Sequence, residues 1–196
     1  MTYLTVDRLR AYLGVHSDSD DALLQELIAA AVAEVELYAG FSFEAASDTV
    51  RTLDYRRNVA GRLLTFDTWL AAAPTTVKTD ADGANLTVPS TDYVLRPTFG
   101  APYWGLELLE SSAYSWTYSV DPAKAITVTG RWGYSATPPA NVVQVVRRLA
   151  SFMYRQKGTS SDVDRALVLA DGSMALPAGI PKDGQLILDQ YLWRTS

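Results

Sequence analysis

Apolar positions recur at helical spacing at both ends of this chain and alternate in its middle. Val6, Leu9 and Leu13 share one side of a short helix over residues 6–13, which Thr5 can cap and Gly14 can end. Ser17, Asp18, Ser19, Asp20 and Asp21 then form a dense start signal, because carboxylates there meet unpaired N–H groups and the positive end of a helix dipole. The helix they open is predicted over residues 20–39. Leu23, Leu24, Leu27, Ile28, Ala31, Val35 and Tyr38 make its broad apolar face. Gln25, Ala29, Ala33 and Glu36 make the opposite face. Alanine's helix propensity accounts for such a face, and so does close approach of another helix from a neighbouring subunit.

From Phe41 to Trp132 the period changes to two, with turn residues between short runs. Strands are predicted over 50–57, 62–66, 75–79, 85–89, 93–96, 105–109 and 124–132. Asp80-Ala81-Asp82-Gly83 reads as a hairpin turn, with glycine supplying a positive φ. Pro97, Gly100, Pro102 and Gly105 mark a loop with Tyr103 and Trp104 expected at its tip.

Gly133 breaks the last strand, and Thr137-Pro138-Pro139 opens a third helix, with Thr137 as the expected N-cap. Val142, Val145, Val146, Leu149, Phe152 and Met153 are assigned to its core face. Gln144, Arg147, Arg148, Ser151 and Arg155 are assigned to a polar, basic face. Residues 159–179 show weak periodicity, and a connection that long is usually functional or mobile. A last helix starts near Ile180-Pro181-Lys182-Asp183 and carries Leu186, Ile187, Leu188, Tyr191, Leu192 and Trp193 on all sides. Its own core or a partner must cover it. The order predicts an α+β fold: a bundle of about four helices with an antiparallel β module inserted between helices 2 and 3. Residues 1–40 and 134–196 form the helical domain and residues 41–133 the insertion.

Composition narrows the function classes. The 196 residues are 48% hydrophobic and 20% charged, which suits a globular chain. Without cysteine there is no thiolate chemistry, and a single histidine, His16, makes His-based metal sites and acid–base catalysis poor expectations. No apolar run approaches the ~20 residues of a membrane span, and Met1-Thr2-Tyr3-Leu4 lacks the pattern of a signal peptide. The net charge of −5 is uneven: residues 1–40 carry −5 and residues 134–196 carry +2. That asymmetry suits head-to-tail contact between copies better than reading of DNA sequence, although solvated surface charge explains it equally.

No motif for a phosphate loop, nucleophile elbow, zinc protease or dithiol is present. His16 beside Ser17 and Asp18 lies in a capping loop with nothing to position a base. The acids there lack the glycine turn and late bidentate ligand of a calcium loop. The pairs Glu107/Glu110 and Asp80/Asp82 fall at strand ends, where a glycosidase cleft cannot be read. The aromatic set Tyr103, Trp104, Tyr114, Trp116, Tyr118, Trp132 and Tyr134 has three readings. It is β-module core, an interface hot spot, or an exposed platform for sugar rings as in a carbohydrate-binding module.

The order of several short motifs resembles a known family. They are Leu37-Tyr38-Ala39-Gly40-Phe41 and Thr91-Asp92-Tyr93-Val94-Leu95 followed by Gly100-Ala101-Pro102. Then come Ile126–Tyr134 with Pro138-Pro139, Leu149–Arg155, Gly179–Asp183 and Leu188-Asp189-Gln190-Tyr191. Together they resemble the head–tail connector (adaptor) proteins of tailed bacteriophages and related particles. The resemblance implies a non-enzymatic virion neck protein, assembled in the host cytoplasm, without cofactor, metal or membrane contact. It implies a ring, commonly of twelve copies and monomeric when isolated, that sits below the portal protein. Such a ring extends the DNA channel, passes DNA without sequence-specific binding, and docks the next neck, stopper or tail protein. Under this reading Leu188, Tyr191, Leu192, Trp193 and Arg194 are expected to bind the portal. Ala29, Ala33, Glu36, Arg147, Arg148 and Arg155 are expected at the interface between subunits.

Overall fold

A computed structural model describes residues 3–156, 167–168, 174–175 and 179–192, and these divide into two compact units. One comprises Met1–Gly40 with Pro138–Ser196, the other Phe41–Thr137. The α+β class and the insertion of antiparallel strands between the second and third predicted helices are as the sequence predicts.

The helical unit contains α1 (Val6–Leu13), α2 (Asp21–Ala39), α4 (Ala140–Gln156) and α5 (Lys182–Leu188). The Thr5 hydroxyl accepts the Arg8 N–H at 3.4 Å, and Gly14 leaves the helix at φ 72°. Leu9, then Leu24, Ile28, Ala31, Val32, Val35 and Ala39 of α2, and Val142, Val145, Val146, Leu149 and Ala150 of α4 are all buried. α2 packs on both α4 and α5.

Three details of α4 depart from expectation. Pro139, not Thr137, holds the N-cap position, since its carbonyl accepts the first helical N–H, from Val143, at 3.0 Å. Phe152 is 44% exposed, and Ser151 is buried with its hydroxyl donating to the Arg147 carbonyl at 2.7 Å. Both sit at rims of the apolar stripe. The stripe widens toward Ala150 and Ser151, where a serine that bonds back to its own helix fits and a phenyl ring does not. Leu167–Val168 (β9) and Met174–Ala175 (β10) pair as a short antiparallel ladder.

The β unit holds two four-stranded antiparallel sheets. The first runs β1 (Asp48–Leu53), β8 (Ile126–Arg131), β4 (Thr76–Thr79), β5 (Leu86–Thr87). The second runs β2 (Val59–Ala60), β3 (Leu63–Leu70), β7 (Tyr103–Leu108), β6 (Tyr93–Arg96). A single helical turn, α3 (Tyr55–Asn58), replaces the second half of the first predicted strand, because the Asp54 carboxylate accepts the Arg56 N–H at 2.8 Å and caps it. Leu64, Phe66 and Leu70 of β3, Leu106 and Leu108 of β7, and Val77, Ile126 and Val128 of the first sheet meet in one core with Trp116 and Trp132. That is a small β-sandwich. β1 and β8 are its first and last long strands, paired from Asp48↔Arg131 to Leu53↔Ile126. Below them Glu44 bridges Ser135, and the Tyr134 N–H donates to the Ser42 carbonyl at 3.0 Å. The chain therefore enters and leaves the unit at adjacent points.

The turn after β4 also differs from its prediction. The positive φ falls on Asp80 (50°) and Asn85 (55°) and not on Gly83. Asp80 is held there by its own carboxylate, which accepts from Ala84 N–H at 2.9 Å, Ser119 N–H at 2.7 Å and the Ser119 hydroxyl at 2.8 Å. Gly83 is needed for space, since a Cβ would collide with the Ser119 hydroxyl and the Asp80 carboxylate.

The hydrogen bonds from Ala84 and Ser119 hold the Asp80 carboxyl below the usual carboxylate range. The unfolded chain then binds the proton more tightly, so stability rises with pH through that window. The contribution is complete above about pH 4, the ordinary aspartate value, and is lost as pH falls through the lower folded value. Asp80→Asn should lower the denaturation midpoint of the β unit at pH 7 and flatten this acid dependence. Tryptophan fluorescence reads it, because four of the five tryptophans lie in that unit.

Candidate functional site

The helical unit offers two surfaces for the contacts expected from sequence. The first is the outer face of α2. Glu26, Ala29, Ala33 and Leu37 follow at spacings of three and four, so they share one side of the helix, and all are exposed. Leu37 is 83% exposed. Beside it a groove of about 280 Å³ is lined by Glu34, Leu37, Tyr38, Ile180 and Gln185. Leu186, next in α5, is 66% exposed. Glu36 is half-buried and accepts the Tyr3 hydroxyl at 2.6 Å, which ties it to its own unit.

The second surface is the basic side of α4, and its three arginines have different surroundings. The Arg147 guanidinium lies 4.6 Å from the Tyr12 ring centroid, a cation–π contact within the unit. Arg148 pairs with Asp183 of α5. That hydrogen bond holds the Asp183 carboxyl below the ordinary carboxylate range, against the opposing effect of desolvation. Arg155 is exposed and makes no ion pair among the described residues. Sequence periodicity groups these three together; it carries no signal for Tyr12 or Asp183 as partners.

The tail residues also separate. Leu188 is fully buried in the helical core and presents no surface. Tyr191 is half-buried and its hydroxyl donates to Asn141 Oδ1 at 2.7 Å; Leu192 is half-buried. Trp193 and Arg194 lie outside the described residues. A helix of seven residues is too short to hold its shape alone, since isolated helices need roughly 12–15. α5 persists because Ile180 and Leu188 are buried, each worth about 1.5–3 kcal/mol. Gly184 permits the approach: a Cβ there would lie 3.0 Å from Ile180 Cγ2 and 3.2 Å from Val145 Cγ1. Polar latches finish the docking, from Arg148 to Asp183 and from the Tyr38 hydroxyl to Asp189 at 2.7 Å. The Asp189 hydrogen bond raises the Tyr38 hydroxyl pKa.

The β unit gathers no aromatic platform. Trp116 and Trp132 are buried, and their indole N–H groups donate to the Arg62 and Thr49 carbonyls at 2.8 and 3.0 Å. Tyr103 and Trp104 belong to β7 and are half-buried; the exposed tip of the 97–102 loop is Phe99, at 92%. Tyr118 packs on Tyr55 with centroids 5.0 Å apart. A cleft of about 380 Å³ beside β6 is lined by Tyr93, Leu95, Pro97 and Tyr103 among others, with no carboxylate. Glu107 pairs with Arg96 across β6 and β7. Of the seven aromatics grouped from sequence, only Tyr118 is thus exposed.

Two consequences are measurable. Arg148→Ala should move the Asp183 carboxyl up toward the ordinary aspartate value, followed by NMR titration of its carboxyl carbon. Leu188→Ala should destabilise the helical unit by about 2–5 kcal/mol in chemical denaturation, the usual cost of truncating a buried leucine.

Comparison with known proteins agrees with the resemblance read from sequence. Residues 3–63, which span α1, α2 and the start of the β unit, match the family described as Phage gp6-like head-tail connector protein. No curated protein matches the chain. Among solved structures, a chain in the virion of a native gene transfer agent particle is similar over 100% of this chain and 92% of its own, with TM-score 0.64 and 20% identity. Chains from the neck of the native particle computed with C12 symmetry and of the empty particle computed with C6 symmetry are similar at TM-score 0.61. Their identities are 19% and 17%, with 100% of this chain and 91% and 92% of those chains covered. Residues 3–63 thus resemble the head–tail connector family, and the chain as a whole shares its fold with chains of gene transfer agent particles.

Proposed function

We propose that this protein is a structural head–tail adaptor of a virion neck and not an enzyme. Copies assemble as a ring, of twelve in the particle, below a portal protein. The ring lengthens the DNA channel and docks the next neck or tail component. One observation carries the reading: the connector family match falls on α1 and α2, and α2 leaves an apolar face of alanines and Leu37 turned outward. Two different faces, the Glu26/Ala29/Ala33/Leu37 side of α2 and the Phe152/Arg155 side of α4, suit the heterologous contacts by which identical subunits close rings. DNA has to slide through such a ring, and a net charge of −5 is compatible with a lumen that does not grip phosphate.

The burial of Ile180 and Leu188 changes how the portal contact is tested. Removing residues 180–196 would open the helical core, so the informative truncation removes only residues 193–196. Portal binding is expected to fall at least tenfold, with an unchanged thermal midpoint; unchanged affinity would take Trp193 and Arg194 out of the contact. Light scattering of the chain with and without portal measures ring formation. A chain that stays monomeric in both conditions is not a ring adaptor.

A further inference from the structure

The outward face of α2 carries small apolar residues and an acid, and the far end of α4 an exposed phenyl ring and a cation. On α2, Ala29 and Ala33 make a shallow apolar strip that ends on Leu37, with Glu26 one turn before it. On α4, Phe152 is 44% exposed, and Arg155 stands three residues on, on the same side of the helix. Neither side chain is used within the unit as its neighbours are. Arg147 is stacked on Tyr12 and Arg148 is paired with Asp183, which leaves Arg155 as the cation of α4 with neither a ring contact nor an ion pair among the described residues.

We infer that the Glu26/Ala29/Ala33/Leu37 face of α2 takes the Phe152/Arg155 face of α4 from a second copy of this chain. Small side chains at Ala29 and Ala33 let a phenyl ring come close to the α2 backbone, since contact distance between helices is set by the residues at the contact. Leu37 extends the covered apolar area. Arg155 then meets Glu26 at the rim and fixes the register, and like charges at that point would oppose association. The two faces are made of different residues of the chain, so the contact repeats head-to-tail and does not close on itself as a two-fold dimer. Arg147 and Arg148 are left out of it: their partners lie in their own chain, and changing them acts first on α1 and α5.

This inference rests on the ring reading, and the test separates the two. Glu26→Arg and Arg155→Glu, both at exposed positions, should each weaken self-association at least tenfold. The double swap should restore it to within about threefold, with thermal midpoints unchanged in all three. Because the chain has no cysteine, Ala33→Cys combined with Phe152→Cys gives a second measurement. Oxidation should give a ladder of covalent oligomers, and neither single variant should give dimers. Wild type that assembles while the single swaps assemble equally well, or a ladder that fails to form, overturns this surface and leaves the ring standing. Dimers from Ala33→Cys alone would mean a two-fold contact and overturn it as well. Wild type that remains monomeric, alone and with portal, removes the ring reading itself.

Discussion

The pairing of β1 with β8 is the constraint on which the helical unit depends. α2 ends at Ala39 and α4 begins at Ala140, so their packing requires closure of a very long loop. Loop-closure entropy rises only slowly with length, but it still has to be met before any helix–helix contact forms. Here the intervening chain folds on its own core and is zipped at its base by the Asp48↔Arg131 ladder end and the Glu44–Ser135 bridge. The loop that α2 and α4 must close is then effectively short. The same device lets the sandwich be large without loosening the packing of α2 on α4.

Within the helical unit, most chemistry that looks available for partners is already committed. α5 is held by two buried apolar residues, a close glycine approach and polar latches, and the latches consume Arg148 and Tyr38. Arg147 is consumed by Tyr12. Among what is left outward are several apolar groups: Ala29, Ala33 and Leu37 on α2, Leu186 on α5, and Phe152 beside Arg155 on α4. Exposed charge pairs contribute little to association, whereas contiguous exposed apolar surface marks contact sites. An assembly role follows more naturally from this distribution than from the basic face by itself.

The helices, and most of the strands, were legible because they depend on local rules. Thr5 and Gly14 bound α1 as their capping chemistry requires, and β6 spans Tyr93–Arg96 as alternation predicts. The losses occur where two local rules compete. At residues 53–58 strand-like alternation yields to the Asp54 cap. At Asp80, a carboxylate with three hydrogen bonds takes the left-handed conformation expected of a glycine. At the rim of the α4 stripe, Ser151 and Phe152 exchange their expected places, because periodicity gives the centre of an apolar face far better than its edges.

Residue order alone carries the α+β class, the insertion of strands between helices, the broad apolar face of α2 opposite its alanine-rich one, and the resemblance to head–tail connectors. All of these follow from residue order and spacing. Which polar and apolar groups remain free was set by packing between elements. It buried Leu188, paired Arg148 with Asp183, set Arg147 on Tyr12, enclosed Trp116 and Trp132, and left Leu37, Phe152 and Phe99 in solvent. The reason is physical. A helical or strand period fixes which side of an element a residue takes, but whether that side is covered depends on elements up to 130 or more residues away, as Tyr154 and Asp20 illustrate with their 2.6 Å hydrogen bond.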